Sequence, residues 1–139
     1  ERSRLVPDQP GPRPRVLVVD DSRGVRQVVG QALGLAGFDV DLAGSPTEAL
    51  SALSGQRYDA IVMDYVMPTM DGATLVRKVR GMGVVAPVVV MSGQATERDR
   101  ARAVASGADA YFDKNDVRRG ALAAALRNLV AGRPAGGGR

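Results

Sequence analysis

Short apolar runs alternate with longer stretches of helical spacing along most of this chain. The first run, Arg15-Val-Leu-Val-Val-Asp20, is continuously apolar, as in a parallel strand buried on both faces. Ser22 to Ala36 then places Val25, Val28, Val29, Ala32, Leu33 and Ala36 at helical spacing, and Gly37 supplies the stop. The glycines inside it, Gly24, Gly30 and Gly34, each cost about 1 kcal/mol relative to alanine, so tertiary packing must hold this helix. Phe38 to Ala43 alternates apolar and acidic residues, which suits an edge strand. Ser45-Pro-Thr-Glu48 is a capping box with proline at the first helical position, and it opens a helix to about Leu53.

The second half repeats the pattern. Tyr58 to Asp64 predicts a strand, Met67 to Gly72 a loop, and Ala73 to Arg80 a helix. Pro87 to Met91 predicts a fourth strand, Thr96 to Ser106 a fourth helix stopped by Gly107, and Ala110 to Asp113 a fifth strand. A final helix is predicted over 116–131, with Val117, Leu122, Leu126, Leu129 and Val130 apolar. Strands alternating with helices imply an α/β fold with a parallel sheet and right-handed crossovers. At this length the expectation is a flavodoxin-like, doubly wound (βα)5 arrangement with strand order 2-1-3-4-5. Residues 1–14, with Pro7, Pro10, Pro12 and Pro14, predict an extended Pro-rich linker, and 132–139 a flexible Gly-rich tail. Such tails suggest a module, residues 15–131, tethered to something longer.

Composition narrows the chemistry. The 139 residues include no cysteine, histidine or tryptophan, which excludes thiol catalysis, a disulfide framework, His-based triads and a phosphohistidine of this chain's own. Aromatics at 4% are too few for a single-strand stacking platform. The net charge of +4 resides mostly in the tails, because residues 15–131 carry 14 Lys+Arg against 13 Asp+Glu. A nearly neutral body offers no basic stripe, so nucleic acid is not an expected partner of this module. No apolar run reaches the roughly 20 residues of a membrane span, and no signal peptide is visible, so the sequence predicts a cytoplasmic location and no membrane contact.

In open parallel sheets ligands bind beyond the carboxyl ends of the strands, at the switch point between strands 1 and 3. Strand 1 ends in Asp20-Asp21, strand 3 in Asp64, strand 4 in Ser92, and strand 5 runs into Lys114. Three adjacent carboxylates repel one another and raise one another's pKa unless a cation intervenes. Oxygen ligands of high charge and incomplete count suit Mg²⁺, with Mn²⁺ as its substitute. A carboxylate can also act as nucleophile toward a phosphoryl group, and Asp64, standing singly on a central strand, is the candidate. Lys114 and Ser92 would then hold phosphoryl oxygens.

Four blocks carry a resemblance: Val18-Val-Asp-Asp-Ser22, Val62-Met-Asp-Tyr-Val-Met-Pro-Thr-Met-Asp-Gly72, Val89-Val-Met-Ser-Gly93 and Gly107-Ala-Asp-Ala-Tyr-Phe-Asp-Lys114. In this order and spacing they resemble the response-regulator receiver (CheY-like) domains, over about residues 15–131. The resemblance implies that Asp64 is the phosphoacceptor, that Asp21 and Asp64 bind Mg²⁺ directly, that Asp20 does so through water, and that the Val66 backbone carbonyl is a further ligand. It implies that Ser92 moves to the phosphoryl group, that Lys114 pairs with it, and that Tyr111 is the switch aromatic. Tyr111 turning inward would reshape the face of the fourth helix, fifth strand and fifth helix, where Arg98, Arg102, Arg118 and Arg119 form an expected docking surface. The implied partners are a histidine kinase or phosphotransfer domain, in cis or in trans, and a protein target of that face.

Two departures stand out. The family usually has proline after the lysine, in a cis peptide; here Asn115 follows, and a non-proline cis bond costs about 3 kcal/mol, so a trans bond and a differently shaped loop are expected. The positions that tune phosphate lifetime in the family are Val66 and Gln94, and an apolar Val66 offers no amide to position water, which predicts slow self-dephosphorylation. The tails and the Asn115 to Leu122 stretch are similar to receivers fused behind CheA-type chemotaxis kinases. Two other functions stay open on the residues: a pseudo-receiver acting as a phosphorylation-independent interaction module, and a metal-dependent phosphatase or nucleotide-binding protein. Against the last, strand 1 has no Gly-x-Gly-x-x-Gly after it, no Walker loop is present, and Asp64-Tyr65-Val66 replaces the Asp-x-Asp of aspartate-based phosphatases.

Overall fold

β-branched, uncharged runs with no room for a polar side become strands only if both faces are covered, and the chain covers them by placing its first and last described helices on one side of the sheet and the three between them on the other. The structure, a computed structural model, describes residues 13–94, 96–115 and 120–132. Its elements are β1 (Arg15–Val19), α1 (Arg23–Leu35), β2 (Asp39–Ala43), α2 (Pro46–Gly55), β3 (Ala60–Asp64), α3 (Gly72–Gly81), β4 (Val88–Ser92), α4 (Glu97–Ala105), β5 (Ala110–Asp113) and α5 (Ala121–Ala131). All strand pairings are parallel and the order is β2-β1-β3-β4-β5. This is the flavodoxin-like arrangement the apolar runs predict.

Strand alternation sorts the core into two layers. Val16, Val18, Ala60, Val62, Val89 and Met91 pack with Val29 and Leu33 of α1 and Leu122 and Leu126 of α5. Leu17, Val19, Ile61, Met63, Val88 and Val90 pack on the other side with Ala49 of α2, Leu75, Val76 and Val79 of α3, and Ala103 of α4. β3 and β4 are buried along their whole lengths, whereas β2 is mostly half-buried. Along β2, Asp41 accepts from Arg15 Nη1 at 3.1 Å and from the Tyr58 hydroxyl at 2.7 Å, so an edge-strand carboxylate serves the fold. Burial, with that bond to Asp41, raises the Tyr58 pKa.

The helix ends follow from identifiable residues. Ser22, Ser45, Asp71 and Thr96 each accept a helix N–H three residues on, from Val25, Glu48, Thr74 and Asp99. Gly37 (φ 107°) and Gly107 (φ 115°) take the left-handed conformation that closes α1 and α4, with Phe38 N–H donating to Leu33 O and Ala108 N–H to Ala103 O at 3.1 Å. Both stops are where the sequence places them. The last helix differs from expectation. It begins at Ala121 rather than 116, because Gly120 sits at φ 76° and interrupts any helix passing through it; Val117, Arg118 and Arg119 lie outside the described residues. No described helix is long and apolar enough to cross a membrane.

Candidate functional site

Parallel pairing aligns the carboxyl ends of β1 and β3, with Val19 opposite Met63, so the residues leaving those strands are neighbours. Asp20 is fully buried and Asp64 is 4% exposed, while Asp21 is exposed. Carboxylate oxygens of Asp20, Asp21 and Asp64 all lie within 4.8 Å of one another. Lys114, leaving β5, sets its Nζ 3.1 Å from Asp20 Oδ2 and 3.1 Å from Asp64 Oδ1. The ammonium therefore bridges the two buried carboxylates.

The electrostatics follow from this packing. Burial, and then the charge of Asp20, push the Asp64 carboxyl above the ordinary carboxylate range, against the opposing pull of Lys114 and a hydrogen bond from the Val66 N–H. Burial alone would lower the Lys114 pKa, but Asp64 and Asp20 outweigh it and the ammonium is held above its usual range. One cation thus faces several carboxylates. Asp20 Oδ1 accepts the Ser22 N–H at 2.8 Å, and buried Oδ2 faces only the Lys114 ammonium at 3.1 Å among the contacts described. A clustered, oxygen-only donor set of three carboxylates with a single ammonium against it fits a hard divalent cation such as Mg²⁺.

The other predicted residues lie on the second face. Ser92 follows Val88 and Val90 in β4, and Tyr111 pairs with Val90, so by alternation both belong with the α2–α3–α4 layer. Ser92 is buried, and its Oγ donates to Gln94 O and accepts from Gln94 N–H, both at 3.1 Å. Its hydroxyl is engaged with its own turn. Tyr111 already lies inward, 4% exposed, and its hydroxyl is buried with no hydrogen-bond partner. Its ring meets Tyr65 edge-on at 6.2 Å between centroids, and the Arg100 guanidinium lies 5.3 Å from its centroid. Val66 is 66% exposed, and Gln94 is exposed. Asn115 N–H donates to Asp113 Oδ1 at 2.9 Å, a bond that proline could not make.

Some site neighbours were not visible as such in the sequence. Arg102, expected on a docking surface, is exposed and also donates from Nη1 to the Tyr65 hydroxyl and to Asp71 Oδ2, each at 2.8 Å. Asp71 also caps α3. Burial opposes ionisation of Asp71, but the bonds from Thr74 and Arg102 win and hold its carboxyl below the usual range. Gly72 N–H donates to Tyr65 O at 2.6 Å, and a Cβ on Gly72 would lie 2.9 Å from Tyr65 Cα, so only glycine permits this approach to the strand end bearing Asp64. The Asp71-Gly72 pair was the available signal, and it points to a cap and turn without revealing the arginine. Arg98 is exposed.

Residues 16–127 match the family described as the response regulator receiver domain. Among curated proteins, response regulator MprA of Mycobacterium tuberculosis is 38% identical over 100 residues, covering 72% of this chain and 44% of its own length. MprA of Mycobacterium avium is 37% identical over the same extent. The chain thus spans under half the length of these relatives. Among solved structures, the signal receiver domain of NarL from Mycobacterium tuberculosis superposes with a TM-score of 0.80 at 28% identity, covering 87% of this chain and 98% of that one. Chemotaxis protein CheY4 of Vibrio cholerae gives 0.78 at 29% identity, covering 85% and 99%.

Proposed function

The chain belongs to the response regulator receiver domain family, and from that premise we propose that residues 15–131 take a phosphoryl group on Asp64 from a partner's phosphohistidine and respond through the face of α4, β5 and α5. One observation carries the reading: Asp20, Asp21 and Asp64 converge where Lys114 bridges the two buried carboxylates. A fold needs no such concentration of like charge.

In the proposed step an Asp64 carboxylate oxygen attacks phosphorus. The new O–P bond forms as the donor's P–N bond breaks, the electron pair leaves on the imidazole nitrogen, and that nitrogen takes a proton from water. Lys114 opposes the burial and the Asp20 charge that raise the Asp64 pKa, and its ammonium would pair with a phosphoryl oxygen once Asp64 carries the group. Asp21 and Asp64 directly, Asp20 through water, and the Val66 carbonyl are the proposed holders of Mg²⁺ or Mn²⁺, which when bound neutralises phosphoryl charge during transfer. Ser92 leaves its bonds to Gln94 to reach the phosphoryl group, and exposed, apolar Val66 leaves attacking water unpositioned, so the acyl phosphate is long-lived. This stretch has no histidine, so the donor is a histidine kinase or phosphotransfer domain. The reading assigns no nucleic-acid contact to residues 15–131, whose charge is nearly balanced.

The test is treatment with acetyl phosphate and Mg²⁺, read by intact mass, with Asp64→Asn and an EDTA sample as controls. A single phosphoryl adduct lost in both controls is the expected result. No adduct in wild type, with Mg²⁺ binding demonstrated, would replace this reading with a phosphorylation-independent interaction module.

A further inference from the structure

The turn between β1 and α1 presents Asp21, yet apolar packing does little to hold it, because Asp21, Ser22, Arg23 and Gly24 are all exposed. Its shape depends on polar contacts made by Asp20. The Asp20 N–H donates to Ala43 O at 3.1 Å, Oδ1 accepts from Ser22 N–H, and Oδ2 faces Lys114. The remaining polar atom is the Asp20 carbonyl oxygen, which leaves the sheet at the point where the chain turns away. Arg26 satisfies it, Nη1 donating at 2.7 Å. The backbone N–H of Arg26 donates to Ser22 O at 3.0 Å. One residue in the first turn of α1 therefore bonds to the chain on both sides of Asp21.

A second observation shows that room is left for this guanidinium. Gly44, just past the end of β2, would with a Cβ come within 2.9 Å of Arg26 Nη1 and 3.3 Å of Cζ. Real Cβ contacts essentially never fall that short, so a side chain at 44 would displace the guanidinium. Gly44 also has no left-handed backbone to explain it, since it is not among the described glycines with positive φ.

We propose that Arg26 is a positioning residue of the acidic site: by bonding to Asp20 and Ser22 it fixes the direction in which Asp21 presents its carboxylate beside Asp20 and Asp64. The inference rests on the reading that this cluster holds Mg²⁺. Charge and positioning predict opposite signs here. A guanidinium bonded to the Asp20 carbonyl adds positive charge beside the acidic cluster and competes electrostatically with a divalent cation, so if charge dominated, its removal would tighten Mg²⁺ binding. If positioning dominates, removal weakens it, as loss of an outer partner of metal ligands does, by about tenfold or more.

The experiment is calorimetric titration of Mg²⁺ into wild type, Arg26→Ala, Arg26→Lys, Gly44→Ala and the Arg26→Ala/Gly44→Ala pair, with amide exchange at Ser22 measured by NMR in EDTA. Arg26→Ala is expected to weaken Mg²⁺ about tenfold and to speed Ser22 exchange without metal. Gly44→Ala should act in the same direction although it alters no charge, and the pair should be no worse than Arg26→Ala alone. Arg26→Lys keeps the charge but loses the planar fork, and should fall between wild type and Arg26→Ala. Equal or tighter Mg²⁺ binding in folded Arg26→Ala, with Ser22 exchange unchanged, would overturn the proposal. If Arg26→Ala does not fold, wild-type behaviour of both Gly44→Ala and Arg26→Lys would do so. Absence of any Mg²⁺ heat in wild type would sink the cation reading itself, and Ser22 exchange would still decide whether Arg26 positions the turn.

Discussion

α3 and α4 lie side by side on one face of the sheet, have 10 and 9 residues, and start from equivalent side-chain caps. Their anchorage is nevertheless different. α3 buries Gly72, Ala73, Leu75, Val76 and Val79, whereas α4 buries only Ala103 and leaves Val104 52% exposed. α4 is held by polar arms: Arg102 to Tyr65 and Asp71, Arg100 over Tyr111, and from α3 Arg77 to Ser106 and Arg80 to Gly107. Apolar burial stabilises by roughly 1.5–3 kcal/mol per large side chain, while exposed ion pairs contribute about 0–1 kcal/mol. A helix held in the second way can move at small cost, and the elements that respond to a ligand are drawn from the weakly anchored end of a fold. The contrast makes α3 part of the packed scaffold and α4 the more weakly anchored helix, as the proposed response through its face requires.

The largest expected effect that sharpens the contrast is in the core. Leu75→Ala should cost about 2–5 kcal/mol in urea denaturation, while Val104→Ala should stay within about 0.5 kcal/mol. Comparable losses would abolish the distinction between the helices. Next comes Asp71, which serves both helices. Asp71→Ala should cost about 1 kcal/mol through the lost α3 cap, whereas Asp71→Asn keeps the cap and loses the pairing with Arg102. Because the folded-state pKa of Asp71 is lowered, its ionic contribution is complete above the ordinary carboxyl value and fades as pH falls through the lowered one. The stability gap between wild type and Asp71→Asn should therefore close in strong acid; a gap that widened there would contradict the assignment.

The smallest stability effect is expected for Arg102→Met, because its ion pair with Asp71 lies at the surface, where solvent screens it. Its signature lies elsewhere. Burial and the charge of Asp71 raise the Tyr65 pKa, and Arg102 opposes them, so the substitution should move Tyr65 further up in an ultraviolet pH titration. Amide exchange should quicken in α4 and not in α3. A downward shift of Tyr65, or faster exchange spread over both helices, would show that Arg102 is no tether.

What could be read from the sequence divides along similar lines. Continuous runs such as Val16–Val19 and Val88–Val90, alternating with helical patterns over a chain of this length, suit strands covered on both faces of a doubly wound sheet, so the fold and strand order were legible. The ends of those strands then brought Asp20, Asp21, Asp64 and Lys114 to one crevice by topology alone. Long arginines resist such reasoning. Arg26, Arg100 and Arg102 each reach a partner that depends on where neighbouring elements dock, and helical spacing alone does not show which arginine will do so. The start of α5 was misplaced for a related reason: Val117 fits the apolar period, but the backbone at Gly120 breaks it. The inward side chain of Tyr111 follows from alternation once β5 is paired with β4, but its edge-on contact with Tyr65 depends on how those elements dock.

The most direct test of the account is hydrogen–deuterium exchange of α3 and α4 before and after addition of beryllium fluoride with Mg²⁺, as a stand-in for the phosphoryl group on Asp64, with Asp64→Asn as control. The account predicts altered exchange in α4 and β5, unchanged exchange in α3, and no change anywhere in the control. Equal changes in both helices, or none in wild type under conditions where beryllium fluoride is bound, would contradict it.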